Sequence, residues 1–228
     1  MAEIKTQIES LKNRITQAAQ RAGRPTDSVR LLAVSKTQPA DRLRQAFHYG
    51  LHCFGENYLQ EALVKIQALA DLPIQWHFIG PIQSNKTKEI AQHFAWVQSV
   101  DRLKIARRLA TQRPELSPPL NVCIQVNIDQ EPTKSGVAPT EVYELAHHIN
   151  TFERLVLRGM MIIPKKTDDI VMQRASFERA YQLFTRLAAD YPTVDTLSMG
   201  MSGDLATAIE QGSTMVRIGT ALFGSRTP

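Results

Sequence analysis

Eight short apolar runs, each followed by a segment with helical spacing of apolar residues, recur along this chain. The runs fall at 31–36, 52–56, 75–80, 96–100, 122–127, 155–163, 196–200 and 215–219. The helical patterns between them fall near 40–48, 57–69, 84–93, 102–112, 139–149, 169–190 and 203–211. A helix between successive strands implies parallel strands joined by crossovers. Runs such as Val122-Cys123-Ile124-Gln125-Val126 are nearly continuous in apolar residues, as strands covered on both faces should be. Ahead of them, Ile4, Ile8, Leu11 and Ile15 recur at steps of three and four, so residues 2–22 read as one amphipathic helix. Gly23 and Pro25 close it. This pattern predicts an α/β fold, a single (β/α)8 TIM barrel with an extra N-terminal helix. One domain is expected over residues 1–228. An open doubly wound sheet is the alternative, and it would want G-x-G-x-x-G after the first strand. The residues there are Ser35-Lys36-Thr37-Gln38-Pro39, which lack it. The stretches 114–119 and 163–169 read as loops rather than linkers.

Composition narrows the partners. Hydrophobic residues make up 43% and charged residues 21%, which excludes a disordered chain. Residues 1–20 are amphipathic and charged throughout, unlike a signal peptide. No run reaches the roughly 18 apolar residues of a membrane span, so no membrane association is expected. Cys53 and Cys123 sit in apolar runs and read as buried free thiols of a reducing compartment. The expected location is the cytoplasm. The net charge of +5 is modest, and no nucleic-acid partner is expected.

Barrel sites lie at the C-terminal ends of the strands, and that rule ranks the candidates. Lys36 ends the first run. A lysine there loses hydration, which frees its amine as a nucleophile; the bland reading is a lysine that snorkels to solvent. At the other end of the chain, the seventh and eighth runs pass into small residues and then helix starts. These are Ser198-Met199-Gly200-Met201-Ser202 and Arg217-Ile218-Gly219-Thr220. Outward N–H groups at such turns favour an anion, and barrels often bind phosphate after strands seven and eight. Ser198, Ser202, Gly219 and Thr220 are the phosphate candidates, with ordinary N-capping by Ser202 and Thr220 as the bland reading. Arg217 stands between Val216 and Ile218 and needs a partner inside a barrel. The options are an ion pair with Glu56 or a hydrogen bond to a pyridine nitrogen. An arginine there would keep that nitrogen unprotonated and the ring a weak electron sink. Asn57 and His77 end neighbouring runs and could flank a ring, although a satisfied core histidine is an equal reading of His77. A phosphate cup and a strand-end lysine together suit an aldehyde cofactor with a phosphate tail, which points to pyridoxal 5'-phosphate. The pairs His48/His52 and His147/His148 lack metal-site partners, so no metal is expected. The basic residues at 102–113 read as a solvated helix face, with docking of an acidic partner or RNA as the minor alternative.

The motif residues in order are Ala33-Val34-Ser35-Lys36, Phe54-Gly55-Glu56-Asn57, His77-Phe78-Ile79-Gly80-Pro81-Ile82-Gln83-Ser84-Asn85-Lys86, Lys134-Ser135-Gly136-Val137, Gly159-Met160-Met161, Leu197-Ser198-Met199-Gly200-Met201-Ser202 and Val216-Arg217-Ile218-Gly219-Thr220. On these, the chain resembles the pyridoxal phosphate homeostasis protein family, also called proline synthase co-transcribed homologues. The resemblance runs from about Leu32 to Gly224, with local variation at Tyr58-Leu59 and Ala221-Leu222. It implies a barrel like the N-terminal domain of alanine racemase and a Schiff base on Lys36. It also implies phosphate held by the 198–202 and 219–220 turns, Met199 included, and Arg217 facing the pyridine nitrogen. A cytoplasmic role in cofactor balance without established catalysis follows, with effects on amino-acid and keto-acid levels.

A racemase on this barrel takes its opposite-face base, a tyrosine, from a second domain. The chain reaches Pro228 soon after the eighth run, so no such domain is expected. The leading expectation is a monomeric carrier that holds the cofactor reversibly and passes it to dependent apoenzymes. A racemase or lyase is the enzymatic alternative.

Overall fold

Apolar faces set every element of the computed structural model, which describes residues 2–224. Helix α1 (Ala2–Arg21) buries Ile4, Ile8, Leu11, Ile15, Ala18 and Ala19 along one side. Eight strands follow: β1 (Arg30–Val34), β2 (Cys53–Glu56), β3 (Gln75–Phe78), β4 (Trp96–Val100), β5 (Leu120–Val126), β6 (Leu155–Ile162), β7 (Thr196–Ser198) and β8 (Met215–Ile218). They form a closed parallel barrel in sequence order, with β8 paired back to β1. The crossovers carry α2 (Ala40–His48), α3 (Leu59–Ala68), α4 (Thr87–His93), α5 (Leu103–Gln112), α6 (Val142–Asn150), α7 (Ile170–Asp190) and α8 (Leu205–Glu210). A short α9 (Thr220–Phe223) follows β8, and α1 packs across α8 and α9. The (β/α)8 architecture with its leading helix is therefore as expected. Met1 and residues 225–228 of the expected unit lie outside the described residues.

Two layers of side chains fill the molecule. The larger lies between strands and helices, where Phe78 meets Phe94 edge-on and Phe54 leans on Trp76. The smaller is the barrel interior. Gln98 of β4 reaches Ser198 of β7 and Met215 of β8, contacts that only the lumen allows. Deeper, toward the N-terminal ends of the strands, Trp96 is stacked by His77 at 5.1 Å. The guanidinium carbons of Arg30 and Arg158 lie 5.2 and 4.9 Å from its ring centroid. Arg158 is also ion-paired with Asp195, and Arg30, exposed at the start of β1, donates to Thr196 Oγ1 (2.7 Å), so the cation–π contacts add to bonds already made. The lumen is thus packed, and the free end is the C-terminal one.

Several ends shift from the sequence reading. β1 stops at Val34, so Lys36 stands in the turn beyond it. α8 begins at Leu205 because the Asp204 carboxylate takes the Met201 N–H and holds the preceding turn open. Residues Ser84–Lys86 and Pro139–Glu141 are single 3-10 turns leading into α4 and α6. Among the described residues, no helix is long and apolar enough to cross a membrane. The basic residues near α5 are also not all a solvated face. Arg113 donates to the carbonyls of Ala91, Phe94 and Pro118, Arg102 to that of Ile82, and Arg108 to Thr87 Oγ1. Three of these five cations staple α5 to its neighbours, while Lys104 and Arg107 are exposed.

Candidate functional site

Register brings the two ends of the chain together. Ala33 pairs with Ile218 and Val34 with Gly55. Lys36, Asn57, Gly219 and Thr220 therefore stand side by side, just past the C-terminal ends of β1, β2 and β8. Arg217 N–H donates to Gly200 O (3.0 Å), which draws the turn after β7 beside them.

The Lys36 turn is held from behind. Gln38 N–H closes it onto Ser35 O (3.0 Å), and Thr37 has a φ of 65°. A positive φ at the third residue is the signature of a type II turn, which favours glycine there. Threonine, being β-branched, is an outlier in that region. The buried Lys65 of α3 donates from Nζ to Ser35 O (2.6 Å) and to Glu56 Oε1 (2.7 Å). It also pairs with Glu61. Ser35 Oγ donates to Glu56 Oε1 (2.6 Å), and Thr37 N–H donates to Glu61 Oε1. Burial pushes the Glu56 carboxyl up, against the Lys65 charge and the Ser35 hydroxyl. The Lys36 side chain is half-buried and makes no hydrogen bond or ion pair among the described residues.

Arg217 faces the lumen, 5% exposed. Its Nη1 donates to Ser198 O (2.7 Å) and Ser198 Oγ (2.9 Å), and Nη2 donates to Ile162 O (2.8 Å). It does not pair with Glu56, whose partner is Lys65. Burial lowers the guanidinium to about 10, opposed by Asp204, so it stays charged at neutral pH. Beneath it, Ser198 Oγ donates to Gln98 Oε1 (2.7 Å), Gln98 Nε2 to His77 Nδ1 (2.9 Å), and His77 Nε2 meets Gln75 Oε1 (3.1 Å).

Three of the expected residues already have partners within the protein. His77, one residue before the end of β3, lies inside the lumen, fully buried with both nitrogens engaged. Ser198 spends its hydroxyl on Gln98 and Arg217 rather than on an anion. Met199 packs its side chain in the core, gives its N–H to Met215 O and accepts Ser213 Oγ at its carbonyl. His77 and Ser198 face the lumen, while Met199, the next residue after Ser198, faces the opposite way into the core between strands and helices.

The rest of the cup stays open. The N–H groups of Ser202, Gly203, Gly219, Thr220 and Ala221 find no acceptor among the described residues. Neither do the hydroxyls of Ser202 and Thr220 find a partner there, so neither acts as a helix cap. Arg14 of α1 holds Ser202 O at 3.4 Å and ties α1 to this turn. Asn57 Oδ1 is buried without a partner. Its backbone is pressed against Gly80, where a Cβ would lie 2.1 Å from Asn57 O, so only glycine fits. Unpaired buried acceptors and a fan of free N–H groups suit a polar, anionic ligand.

Sequence reasoning passed over Glu61, Lys65 and Gln98. Lys65 had a signal, because it shares the buried face of α3 with Leu59 and Ala62. Gln98 had one too, as a large polar side chain at the centre of a wholly buried strand, Trp96–Val100. Among the described residues, no group of three His, Cys, Asp or Glu side chains could hold a metal ion.

Residues 7–227 match the family model of the alanine racemase N-terminal domain. A protein of Pseudomonas aeruginosa named pyridoxal phosphate homeostasis protein is 56% identical over 99% of this chain and 97% of its own. One of Escherichia coli with the same name is 48% identical over 99% and 98%. The solved structure of PipY from Synechococcus elongatus with PLP bound superposes with a TM-score of 0.83. It shares 35% identity and covers 97% of this chain and 100% of its own. An alanine racemase of Clostridium difficile, 12% identical, shares the fold with a TM-score of 0.80 over 99% of this chain and 60% of its own.

Proposed function

This chain belongs to the pyridoxal phosphate homeostasis protein family, and on that premise we propose that it binds pyridoxal 5'-phosphate at the barrel mouth as a reversible Schiff base on Lys36. Bound, the cofactor supplies an aldehyde, with which a primary amine condenses to a Schiff base and one water. The single observation that carries the assignment is the contrast at the turn: the Ser35 N–H, the Ser35 carbonyl and the Thr37 N–H on either side of Lys36 are held, while its amine is free.

The site fits the group. Ser202, Gly219 and Thr220 offer N–H groups and hydroxyls to a phosphate. Arg217 presents a charge that no carboxylate neutralises by direct contact, suited to an unprotonated pyridine nitrogen. Asn57 Oδ1 awaits a donor such as the ring hydroxyl. Ser198 and His77 act through Arg217, and Met199 through the packing of its turn. A ring nitrogen facing arginine makes a poor electron sink, which favours holding over turnover. The proposal therefore has a non-catalytic, monomeric barrel spanning residues 1–228. It works in the cytoplasm and delivers cofactor to dependent apoenzymes. Relatives named for homeostasis rather than for a reaction support this reading over a racemase or lyase.

The test is the absorption spectrum of purified protein titrated with pyridoxal phosphate, followed by borohydride reduction and mass mapping. The expected result is a visible band and a stable adduct on Lys36, both lost in Lys36→Ala. A full band in that variant would refute the anchor. Solvent deuterium appearing catalytically at an amino acid's α-carbon would refute the non-catalytic part.

A further inference from the structure

We propose that Glu61 and Lys65 are positioning residues for Lys36, setting the turn from which its amine meets the cofactor aldehyde; this rests on the Schiff-base reading above. Both come from α3, behind the barrel wall, and neither is part of the open mouth.

A turn with threonine at φ 65° does not hold itself. Such a residue persists only where its surroundings over-determine it. Here the surroundings are three groups. Glu61 accepts the Thr37 N–H, Lys65 donates to Ser35 O from beneath, and Glu56 accepts the Ser35 hydroxyl. Ser35 N–H also continues the sheet onto Gly55 O (2.9 Å). The residue before Lys36 and the residue after it are thus both anchored, and Lys36 alone points free. Lys65 is the hinge of the arrangement, because it bridges Glu56 and Glu61 while gripping the turn itself. A buried ion pair is weak evidence for stability. Its direct bond to the reactive turn gives it a different use. Misplacement of a reacting group by about 1 Å can cost up to ~100-fold in a reaction, so an ordered turn is worth the buried charges.

Glu61 is the residue to remove, since its side chain is 30% exposed and its loss leaves the Lys65–Glu56 pair intact. Two ligands separate positioning from damage. Pyridoxal phosphate reports on the amine and the cup. Pyridoxine 5'-phosphate has an alcohol in place of the aldehyde and reports on the cup alone. Wild type, Glu61→Ala and Glu61→Gln are titrated with each. The expected result for Glu61→Ala is about a 10-fold loss of Schiff-base affinity. Its pyridoxine phosphate affinity should stay within about twofold, and its melting temperature near that of wild type. Glu61→Gln, which keeps an acceptor for Thr37 N–H, should recover most of the loss. Unchanged Schiff-base affinity in Glu61→Ala would overturn the inference. So would equal weakening of both ligands, or no recovery in the glutamine variant. A wild-type protein that forms no Schiff base at all sinks the proposed function instead, and this inference with it.

Discussion

Arg217 has hydrogens to give and no lone pair to accept one, and that fixes the protons along the chain of residues beneath it. Ser198 Oγ must accept from Arg217, so its own hydrogen goes to Gln98 Oε1. That turns the Gln98 amide nitrogen toward His77 Nδ1, which must then be bare. The His77 proton is left on Nε2, facing Gln75 Oε1. A second proton on His77 would set two donors against each other and charge a fully buried ring. Burial, with Arg30 adding repulsion, lowers its pKa from 6.5 to about 3. The sign of the consequence follows. Between pH 6.5 and about 3 the unfolded chain binds a proton here that the folded one refuses, so stability is present above 6.5 and falls as pH drops through that window. At pH 5 the loss from this one group is about 2 kcal/mol relative to neutral pH. Urea unfolding of wild type and His77→Gln at pH 7 and pH 5 checks it. The glutamine variant should lack this part of the acid sensitivity. Identical pH dependence in the two proteins would mean that His77 does protonate in the fold. At this scale the sequence left two readings of His77 open, because its surroundings depend on a glutamine one strand away and a serine across the lumen.

Strands β6 and β7 approach more closely than side chains allow at one point. Gly159 has a φ of 139°, and a Cβ on it would lie 1.9 Å from Thr196 O. It sits where the β5–β6 register shifts between Val122 and Cys123, so the strand is re-aimed there. Gly159→Ala therefore meets both a forbidden conformation and rigid backbone. It should cost about 3 kcal/mol or more in urea unfolding. A cost below about 1 kcal/mol would show that the strands part easily. Elements of this kind were legible in their existence rather than their edges. All eight strands lie within a residue or two of their apolar runs, because burial on both faces leaves a continuous apolar signature. Their ends moved because tertiary bonds decide them. Gln38 N–H ends β1 by folding back on Ser35, and Asp204 delays α8. The site divides along the same line. The mouth residues Lys36, Asn57, Ser202, Gly219 and Thr220, and the buried Arg217 beneath them, could be found from strand ends, whereas the α3 carboxylate and ammonium behind them belong to a helix face that meets the turn only after folding.

Barrel closure joins the first βα unit to the last two, and the proposed ligand would sit on that seam. Lys36 follows β1, the phosphate turns follow β7 and β8, and β8 pairs with β1 through four residue pairs from Arg30↔Met215 to Ala33↔Ile218. Helix α1 adds a second tie, with Arg14 on Ser202 O and its apolar face against α8 and α9. A ligand held by both sides of the seam binds only the closed barrel, so its binding energy adds to the stability of the whole chain. At a free concentration 100 times its dissociation constant, that addition is about 2.7 kcal/mol. For a chain of 228 residues it corresponds to a rise of roughly 5–10 °C in the melting temperature. Calorimetry should show that rise with pyridoxal phosphate at a fixed concentration. With Lys36→Ala at the same concentration the rise should be much smaller, because only the cup remains. Inorganic phosphate should raise both proteins equally and modestly, since it needs no amine. An equal rise with pyridoxal phosphate in wild type and Lys36→Ala would place all the affinity in the phosphate turns. The lysine would then be a bystander, and the free amine at the centre of a clamped turn would need another explanation.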